Sequence, residues 1–296
     1  MRAVIRGAVA VVLLLAMGAA PAAPPAGARP PAADRTTDHT VTKVMVIVVE
    51  NHSLRQMQRQ MPRTFAFASQ YAYATDYRAI RHPSLPNYIA MVAGSTLSVT
   101  DDHDPSAHHL RGATVFSQAR ANGRTAKTYA DAMPSRCALQ SSGDYAVRHN
   151  PWTYFVDDRR ACLRHDVPVT ALRRDARRGH LPNVGFLIPD LVHDAHDASL
   201  ADADAWISRR IGQLTAGPDW TSGHLAIVVT ADEDDRLSGN KVLTLVGSRY
   251  QDQRVVTEHL THYSLTRFIE DVLGVHHLRH ARRAPDMTAA FGVQVG

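Results

Sequence analysis

Apolar runs alternate with amphipathic segments along most of the chain. Four segments are almost wholly apolar and rich in β-branched residues, and they predict strands buried on both faces of a sheet: Lys43–Val49, Asn183–Pro189, His224–Thr230 and Lys241–Gly247. The segment Arg124–Ala130 predicts a weaker strand.

Amphipathic segments between these strands predict helices. Their predicted bounds are Arg63–Ala72, Pro86–Ala93, Thr114–Gly123, Ser199–Leu214 and Ser264–Val275. Gly94 and Gly274 are expected to end two of them, and Ser199 is expected to cap another. Alternation of strands and helices predicts an α/β fold with a mostly parallel sheet that helices cover on both faces.

The N-terminus has the pattern of a targeting signal. Arg2 and Arg6 precede the apolar stretch Gly7–Ala20 and a small-residue site, which predicts a signal peptide over residues 1–22 and a secreted protein. A retained N-terminal anchor is the alternative. Residues 23–40 are rich in Pro and Ala and predict an extended tether, which leaves residues 41–296 for a single domain.

Charge and cysteine content narrow the classes of partner. The formal net charge of +5 would fall to +3 without Arg2 and Arg6, a mild excess that suits anionic substrates. The basic runs Leu172–Arg178 and Arg279–Arg283 lack interleaved aromatic residues, so we expect solvated faces and no nucleic-acid partner. In an exported protein, Cys137 and Cys162 predict a disulfide; a reactive or metal-binding thiol is the weaker alternative.

Polar clusters follow three of the predicted strands directly. They comprise Glu50-Asn51-His52-Ser53, the group Asp190, His193, Asp194, His196 and Asp197, and Asp232-Glu233-Asp234-Asp235. Since the carboxyl ends of parallel strands share one edge of a sheet, we expect these clusters to converge there. So many carboxylates would repel one another without a cation. Oxygen-rich ligands favour Mg, Ca or Mn, and histidines admit Zn or Fe.

Ser84 lies between Pro83 and Pro86, just ahead of a predicted helix. Its hydroxyl could cap the helix, or it could be held where a helix N-terminus attracts an anion. His262 also precedes a predicted helix, where a lone histidine is usually a cap or a surface residue. His82 is interpreted as a loop residue without a role in the site.

Several motifs together resemble one family. The segments "VIVVENHS", "HPSLPNYIAMVAGST", "RHNPWTYF", "IPDLVHDAHDAS", "VVTADEDD" and "THYSLTRFIEDVLG" occur in the order found in the bacterial phosphoesterase family of secreted acid phosphatases and phospholipases C. That family belongs to the alkaline-phosphatase superfamily. The likeness is strongest to acid phosphatases that act on phosphatidylinositol 3-phosphate, and it spans most of residues 43–275.

The resemblance implies roles for individual residues. It implies that Ser84 is a nucleophile that forms a phosphoserine, with His196 or His262 as acid or water-orienting group. It further implies a divalent metal ion (Mg, Ca, Zn or Fe) on Glu50, Asn51, Asp232 and Glu233, and substrate contacts from Asn87, Asp194 and Asp197. Asn87 could equally tie down its loop. Because Glu233 replaces the histidine of two-zinc relatives, a single metal is expected.

The expected activity is hydrolysis of a phosphate monoester or phosphoinositide, with transient contact to a membrane surface. Two alternatives stay open at this point. One is a phosphodiesterase of phospholipase C type, and the other is a non-catalytic secreted protein that binds metal or phosphoinositide.

Overall fold

The structure is a computed structural model that describes residues 39–296. The predicted signal peptide and residues 23–38 of the predicted tether lie outside the described residues, so both stay predictions, as does the domain boundary at residue 41. Within residues 39–296, none of the helices combines the length and the apolar character that crossing a bilayer requires.

Ten strands form two sheets in the described chain. Their bounds are β1 (Lys43–Val49), β2 (Ala72–Ala74), β3 (Tyr77–Arg78), β4 (Ala126–Ala130), β5 (Asp166–Pro168), β6 (Val184–Ile188), β7 (Leu225–Ala231), β8 (Thr244–Ser248), β9 (Arg254–Val256) and β10 (Leu260–Thr261). The large sheet has the order β5-β4-β6-β1-β7-β8-β2-β9, and β10 pairs with β3 in the small one.

Five neighbouring strands, β5, β4, β6, β1 and β7, are parallel. Strand β8 is antiparallel to both its neighbours, β7 and β2, and β2 is parallel to β9. The predicted α/β fold with a mostly parallel sheet is confirmed. The segment predicted as Lys241–Gly247 is strand β8 at Thr244–Ser248. Its reversed direction could not be read from its composition, because a buried strand looks apolar in either direction.

Strand β1 lies at the centre of the sheet, between β6 and β7. Its residues 44–49 have no exposed surface, which explains why apolar residues occupy every position instead of alternating. Burying each such aliphatic side chain stabilises the fold by roughly 1.5–3 kcal/mol. This central strand gives residue 50, which follows it, a firmly fixed position.

Ten α-helices accompany the strands of residues 39–296. They are α1 (Leu54–Gln60), α2 (Pro62–Gln70), α3 (Ser84–Ala93), α4 (Val115–Ala121), α5 (Arg159–His165), α6 (Leu172–Arg177), α7 (Leu200–Thr215), α8 (Pro218–Thr221), α9 (His262–Leu273) and α10 (Met287–Phe291). Helices α3, α4 and α9 pack together, with α9 against β1, and α1, α2, α6 and α8 surround α7. Since β1 is buried on both faces, we assign these two groups to opposite faces of the sheet.

The predicted helix ends are confirmed at three places. Ser199 Oγ accepts a hydrogen bond from the Asp202 N–H at 3.2 Å and caps α7. Gly94 and Gly274 end α3 and α9 in the left-handed conformation, with φ of 63° and 65°. At Gly94 a side chain is also excluded by space, because a Cβ would lie 2.8 Å from the Leu278 carbonyl oxygen.

The predicted disulfide between Cys137 and Cys162 is confirmed, with 5.4 Å between the Cα atoms. It joins the loop that follows β4 to helix α5. On the chain-entropy model, closing a loop of this length stabilises the folded state by about 3 kcal/mol. The disulfide thereby fixes the long connection between β4 and β5, which begins at the carboxyl edge of the sheet.

Candidate active site

The carboxyl ends of β1, β6 and β7 bring three carboxylates to one edge of the sheet. Glu50 and Asp232 directly follow β1 and β7, and Asp194 lies in the loop after β6. The Glu50 N–H donates to the Asp194 carbonyl at 2.8 Å, and the Asp232 N–H donates to the Val49 carbonyl at 3.0 Å. All three carboxylates are fully buried. The predicted convergence of the strand-end clusters is confirmed for these residues.

Ser84 is the first residue of α3, and its side chain points at this group. Its Oγ donates a hydrogen bond to Glu50 Oε2 at 3.0 Å. The hydroxyl makes no capping hydrogen bond within α3, whose N-cap is Pro83, so the capping interpretation is wrong. The helix begins two residues before the predicted Pro86, which places the serine within its first turn.

Burial makes these carboxyl groups difficult to ionise. It is the largest cause that raises the pKa of Asp194 and Asp232 to about 7 and that of Glu233 to about 9. The pKa of Glu50 is raised well above its ordinary value, first by burial and then by repulsion from Asp232 and Asp194. Groups that repel one another in this way would bind a cation favourably.

The oxygen atoms in this cluster also suit a divalent cation. The side-chain oxygens Asn51 Oδ1, Asp194 Oδ2 and Asp232 Oδ2 are buried and accept no hydrogen bond. Asn51 itself has a positive φ of 52° and donates its N–H to Asp232 Oδ1 at 3.2 Å. Carboxylate and amide oxygens are the donors that hard divalent cations prefer, so the residues present fit a metal ion.

His149 completes the cluster, although the sequence analysis gave it no role. Its Nε2 lies 3.3 Å from Glu50 Oε2 and its Nδ1 lies 3.1 Å from Asp194 Oδ2. Glu50, His149 and Asp194 each offer an atom of metal-ligand type within 4.8 Å of the others. Burial lowers the pKa of His149 well below its ordinary value. The residue occurs in the quoted segment "RHNPWTYF", which was the signal that could have found it.

Tyr88 is a second residue that the sequence analysis missed. Its hydroxyl donates to Glu50 Oε1, and its ring stacks on that of His149 with 5.2 Å between the centroids. Tyr88 lies four residues after Ser84 in α3, and this spacing puts both side chains on one helix face. The helical spacing could therefore have predicted its place beside the serine.

The loop ahead of α3 is held by Asn87. Its Oδ1 accepts hydrogen bonds from the N–H groups of Ile80 and Arg81 at 3.0 and 3.2 Å. Its Nδ2 donates to the carbonyls of Arg81 and Pro83 at 2.6 and 3.2 Å and to Glu233 Oε2 at 3.3 Å. These contacts correspond to the alternative in which Asn87 ties down the loop.

His82 lies in the loop between β3 and α3, as predicted, but its ring contacts two carboxylates beside the cluster, so the interpretation that it has no role there is corrected. Its Nδ1 lies 2.9 Å from Glu233 Oε1, and its Nε2 lies 3.2 Å from Asp234 Oδ1. With Asn87 on its other oxygen, Glu233 links the loop ahead of Ser84 to the end of β7. The sequence could not show this pairing, because the loop and the strand are far apart along the chain.

His262 lies beneath the cluster, as the first residue of α9 instead of just before it. Its Nε2 lies 2.7 Å from the Asp232 carbonyl oxygen, and its Nδ1 lies 3.0 Å from the Tyr77 hydroxyl. The ring is fully buried, and burial lowers its pKa to about 4. Both ring nitrogens are thus engaged with the protein, and the imidazole is neutral at ordinary pH.

His196 and Asp197 lie at the rim of the cluster. The His196 side chain is about one third exposed, and its ring centroid is 6.1 Å from that of His149. Its Nδ1 lies 2.5 Å from Asp197 Oδ1, and its Nε2 lies 3.1 Å from Arg148 Nη2. The Asp197 side chain is more than half exposed, so it faces solvent beside His196.

The remaining members of the β6 cluster form a separate group. His193 Nδ1 lies 2.8 Å from Asp190 Oδ1 and 3.2 Å from Asp131 Oδ2. Asp131 also accepts a hydrogen bond from Trp206 Nε1 at 2.8 Å.

Asp102, which was not among the predicted site residues, accepts a hydrogen bond from the Leu85 N–H at 2.8 Å and so fixes the start of α3.

Solved structures share this fold at low sequence identity. A protein of the alkaline phosphatase superfamily from Vibrio parahaemolyticus matches with a TM-score of 0.60 and 10% identity over 84% of this chain and 70% of its own. A phosphonate monoester hydrolase from Silicibacter pomeroyi matches with a TM-score of 0.53 and 10% identity over 85% of this chain and 77% of its own. Both likenesses concern the fold.

Curated relatives are more similar in sequence. A phosphatidylinositol-3-phosphatase from Mycobacterium tuberculosis is 30% identical over 260 residues, which cover 86% of this chain and 84% of the relative. A phosphate-repressible acid phosphatase from Penicillium chrysogenum is 30% identical over 210 residues, 64% of this chain and 49% of the relative. An acid phosphatase from Aspergillus fumigatus is 28% identical over 67% of this chain and 47% of its own. The chain spans about half the length of these two fungal relatives.

The family model supplies the final comparison. It matches residues 52–276, a range that includes Ser84, His149 and Asp232. With the sheet order and the strand-end cluster described above, this match shows that the chain belongs to the Phosphoesterase family.

Proposed function

We propose that this phosphoric monoester hydrolase is a secreted, metal-dependent acid phosphatase that works through a phosphoserine at Ser84. One observation carries the proposal. Ser84 Oγ lies 3.0 Å from Glu50 Oε2, at the start of a helix and against buried carboxylates that accept no ion pair from Lys or Arg within residues 39–296. A hydroxyl fixed in such a place is well suited to accept a phosphoryl group.

The proposed metal ligands are Glu50, Asn51 and Asp232. The buried oxygens without hydrogen bonds and the raised carboxyl pKa values support them. When bound, the divalent ion would lower the pKa of the Ser84 hydroxyl and offset charge on the phosphoryl oxygens. Glu233, the fourth ligand expected from the sequence, already contacts His82 and Asn87. We assign it to the margin of the metal site, where it also anchors the loop.

In the first step the Ser84 Oγ–phosphorus bond forms while the bond from phosphorus to the substrate alkoxide breaks. The Ser84 proton passes to Glu50 Oε2, its hydrogen-bond acceptor.

The N-terminus of α3 contributes fewer amide donors than its position suggests. The Leu85 N–H is already bonded to Asp102, and Pro86 has none. We therefore propose that side chains supply hydrogen bonds to the phosphoryl oxygens in place of these two backbone N–H groups.

We assign that role to His149 and the protonation of the leaving group to His196. His149 is buried beside both Glu50 and Asp194, within reach of a group bonded to Ser84. His196 lies next to it and is partly exposed, so a substrate oxygen could replace Arg148 Nη2 at its Nε2, and the imidazole would then donate a proton to the departing alkoxide. In the second step water attacks phosphorus and gives a proton to His196, which the first step left unprotonated, while Ser84 Oγ leaves with the proton held by Glu50.

His262 receives a positioning role in this scheme instead of an acid role. Its contacts to Tyr77 and the Asp232 carbonyl support this, since neither nitrogen faces the nucleophile. Asp194 Oδ1 accepts a hydrogen bond from the backbone N–H of His196 at 2.8 Å, and its Oδ2 lies 3.1 Å from His149 Nδ1. Asp197 acts on the substrate only through His196, on which it sets the orientation of the ring.

The proposed substrates are phosphate monoesters, with phosphatidylinositol 3-phosphate as the leading candidate. The relative from M. tuberculosis that carries this substrate in its name supports it, because the similarity covers most of both chains. The N-terminal pattern of residues 1–22 and the Cys137–Cys162 disulfide support secretion, since disulfides persist in oxidising compartments.

The proposal is tested with p-nitrophenyl phosphate, bis(p-nitrophenyl) phosphate and phosphatidylinositol 3-phosphate as substrates. The chain should release phosphate from the monoesters faster than it cleaves the diester. Removal of metal with a chelator should abolish turnover, and addition of single divalent ions should restore it and identify the ion. Acid quenching during turnover, followed by peptide mass spectrometry, should locate phosphate on Ser84.

Ser84→Ala should lower turnover at least ~10³-fold while the fold and metal affinity are kept. Turnover at the wild-type rate in this variant would contradict the assignment of the nucleophile. Faster cleavage of the diester would favour the phosphodiesterase alternative. Metal binding without turnover of any of these esters would favour the non-catalytic one.

A further inference from the structure

A strongly basic surface lies at the β5 edge of the large sheet, on α5, β5 and α6. We call it the basic edge. Residues 159–178, which form it, contain seven arginines and only two aspartates. This excess equals the formal net charge of +5 of the whole chain. The rest of the sequence therefore has a formal net charge of zero, although it contains most of the lysines and arginines.

The two aspartates pair with only one arginine of the basic edge. Asp166 is buried and accepts a hydrogen bond from Asn150 Nδ2 at 2.8 Å. Asp175 is buried and pairs with Arg174, whose Nε lies 3.1 Å from Asp175 Oδ1, and its Oδ2 accepts hydrogen bonds from Lys127 Nζ at 2.6 Å and the Tyr129 hydroxyl at 2.9 Å. Five exposed arginines of the basic edge form no ion pair with a carboxylate of residues 39–296: Arg160, Arg164, Arg173, Arg177 and Arg178.

Shallow depressions connect these charges. One of about 510 Å³ is lined by Thr170 and four arginines of α6 and its C-terminus. It shares Thr170 and Arg174 with a second of about 530 Å³, which Arg136 and Arg164 also line. A third of about 290 Å³ continues the surface through Lys127 and His165. The arginines thus form a continuous surface on which several anionic groups could bind side by side.

Exposed leucines accompany the arginines. Leu163 is 50% exposed and lies on α5 between Arg160 and Arg164, at spacings that put all three on one helix face. Leu139 is 42% exposed and follows Cys137, which the disulfide joins to α5. These are two of the five exposed large apolar side chains among the described residues. Arginines that flank exposed leucines are typical of surfaces that contact a bilayer.

The basic edge extends to the carboxyl edge of the sheet, where the candidate active site lies. Leu139 and Arg159 line a depression of about 690 Å³ formed partly by the loop after β4. In that loop Ser141 Oγ accepts the Val147 N–H at 3.1 Å, two residues before His149. The basic edge therefore runs along the side of the sheet from the loop after β4, at the carboxyl edge, to the residues that precede β4 and β6, at the amino edge.

We propose that the basic edge binds the surface of a bilayer rich in anionic phospholipids and so holds the enzyme at the membrane that carries its substrate. The proposal rests on the proposed function only in naming the substrate as a phosphoinositide. Charge complementarity with acidic headgroups and the exposed leucines favour a bilayer. A nucleic acid is disfavoured because exposed aromatic residues for base stacking are absent from residues 159–178.

The test measures co-sedimentation of the purified chain with two kinds of vesicle. One is phosphatidylcholine alone, and the other contains roughly a third phosphatidylserine. The basic-edge variant is Arg160→Gln/Arg164→Gln/Arg173→Gln/Arg177→Gln. Its matched control, Arg55→Gln/Arg59→Gln/Arg63→Gln/Arg209→Gln, removes the same charge from exposed arginines on α1, α2 and α7. A third variant, Leu163→Asn, tests the apolar contribution.

The wild type should bind the anionic vesicles at least about tenfold more tightly than the neutral ones, and added salt should weaken this binding. The basic-edge variant should lose about tenfold or more in binding, Leu163→Asn should lose less, and the matched control should bind like the wild type. Hydrolysis of p-nitrophenyl phosphate should be the same in all four proteins. Hydrolysis of phosphatidylinositol 3-phosphate in vesicles should fall with the basic-edge variant, while a short-chain soluble form of this lipid should be hydrolysed normally.

Equal vesicle binding by the wild type and the basic-edge variant would overturn the proposal. An equal loss in the matched control would also overturn it, because net charge and not this surface would then be responsible. Binding to DNA or heparin without vesicle binding would replace the bilayer with another polyanion. Vesicle binding does not require turnover, so lipid-specific binding without phosphatase activity would contradict the proposed function and leave this inference intact.

Discussion

His262 Nε2 lies 2.7 Å from the backbone carbonyl oxygen of Asp232, and this contact joins the first turn of α9 to the carboxyl end of β7. Since Tyr77 occupies the other ring nitrogen, the imidazole fixes the backbone that carries a proposed metal ligand. Burial lowers the pKa of His262 to about 4, so it holds this position as a neutral ring.

We expect His262→Ala to weaken metal binding by about 10- to 100-fold, as loss of a residue that orients a ligand typically does. Metal titration with activity and intrinsic fluorescence as readouts would measure this. At saturating metal most of the turnover should return, and the limbs of the pH–rate profile should stay where they are. A shift of one limb with unchanged metal affinity would instead restore His262 to the acid role expected from the sequence.

His149→Ala should lower kcat/KM by about 10²-fold or more, because the phosphoryl oxygens would lose a buried hydrogen-bond donor next to Ser84. His109→Ala, at an exposed histidine, is the matched control and should behave like the wild type. Steady-state kinetics with p-nitrophenyl phosphate and inhibition by vanadate would separate the two variants. If His149→Ala keeps wild-type kinetics, the ring serves only the packing against Tyr88.

Asn87→Ala tests whether this residue holds the loop or contacts the substrate. The variant leaves the N–H groups of Ile80 and Arg81 without their acceptor, so the free energy of unfolding should fall by ~1–3 kcal/mol. Turnover should fall as well, since Ser84 follows this loop, whereas KM should change little. A large rise in KM at unchanged stability would favour the direct substrate contact. Urea denaturation and steady-state kinetics give the two readouts.

The sequence predicted the layered α/β fold, since buried parallel strands and amphipathic helices have distinct periodicities. It also predicted that Glu50 and Asp232 lie at the carboxyl edge of the sheet, because each directly follows a buried, mostly apolar strand. His149 escaped detection because it lies in a 3-10 helix, Val147–His149, without periodicity. His82 and Asp102 act through partners far along the chain, at Glu233 and in α3, and only the folded chain brings these pairs together. The run Leu172–Arg178 was interpreted as a solvated helix face because the exposed leucines of the basic edge lie outside it, on α5 and in the loop after β4.

Asp166 provides a prediction about pH and stability away from the metal site. Burial raises its pKa from 3.8 to about 7 in the folded state, so the folded chain binds a proton that the unfolded chain releases. Its contribution to stability is therefore fully present below about pH 4, declines as the pH rises to about 7, and is constant above that. Asp166→Asn cannot ionise, so between about pH 4 and pH 8 it should lose ~1–3 kcal/mol less stability than the wild type.

The readout is the difference between urea denaturation free energies at these two pH values, with the disulfide kept oxidised. Taking this difference cancels any fixed cost of placing an amide beside Asn150 and Cys162. Asp252→Asn, at an exposed aspartate, is the control and should follow the wild type. An identical pH dependence in Asp166→Asn and the wild type would mean that the Asp166 carboxyl ionises as easily in the folded chain as in the unfolded one. The dependence would then have to come from other buried carboxyls, such as Glu270, whose pKa burial raises to about 8.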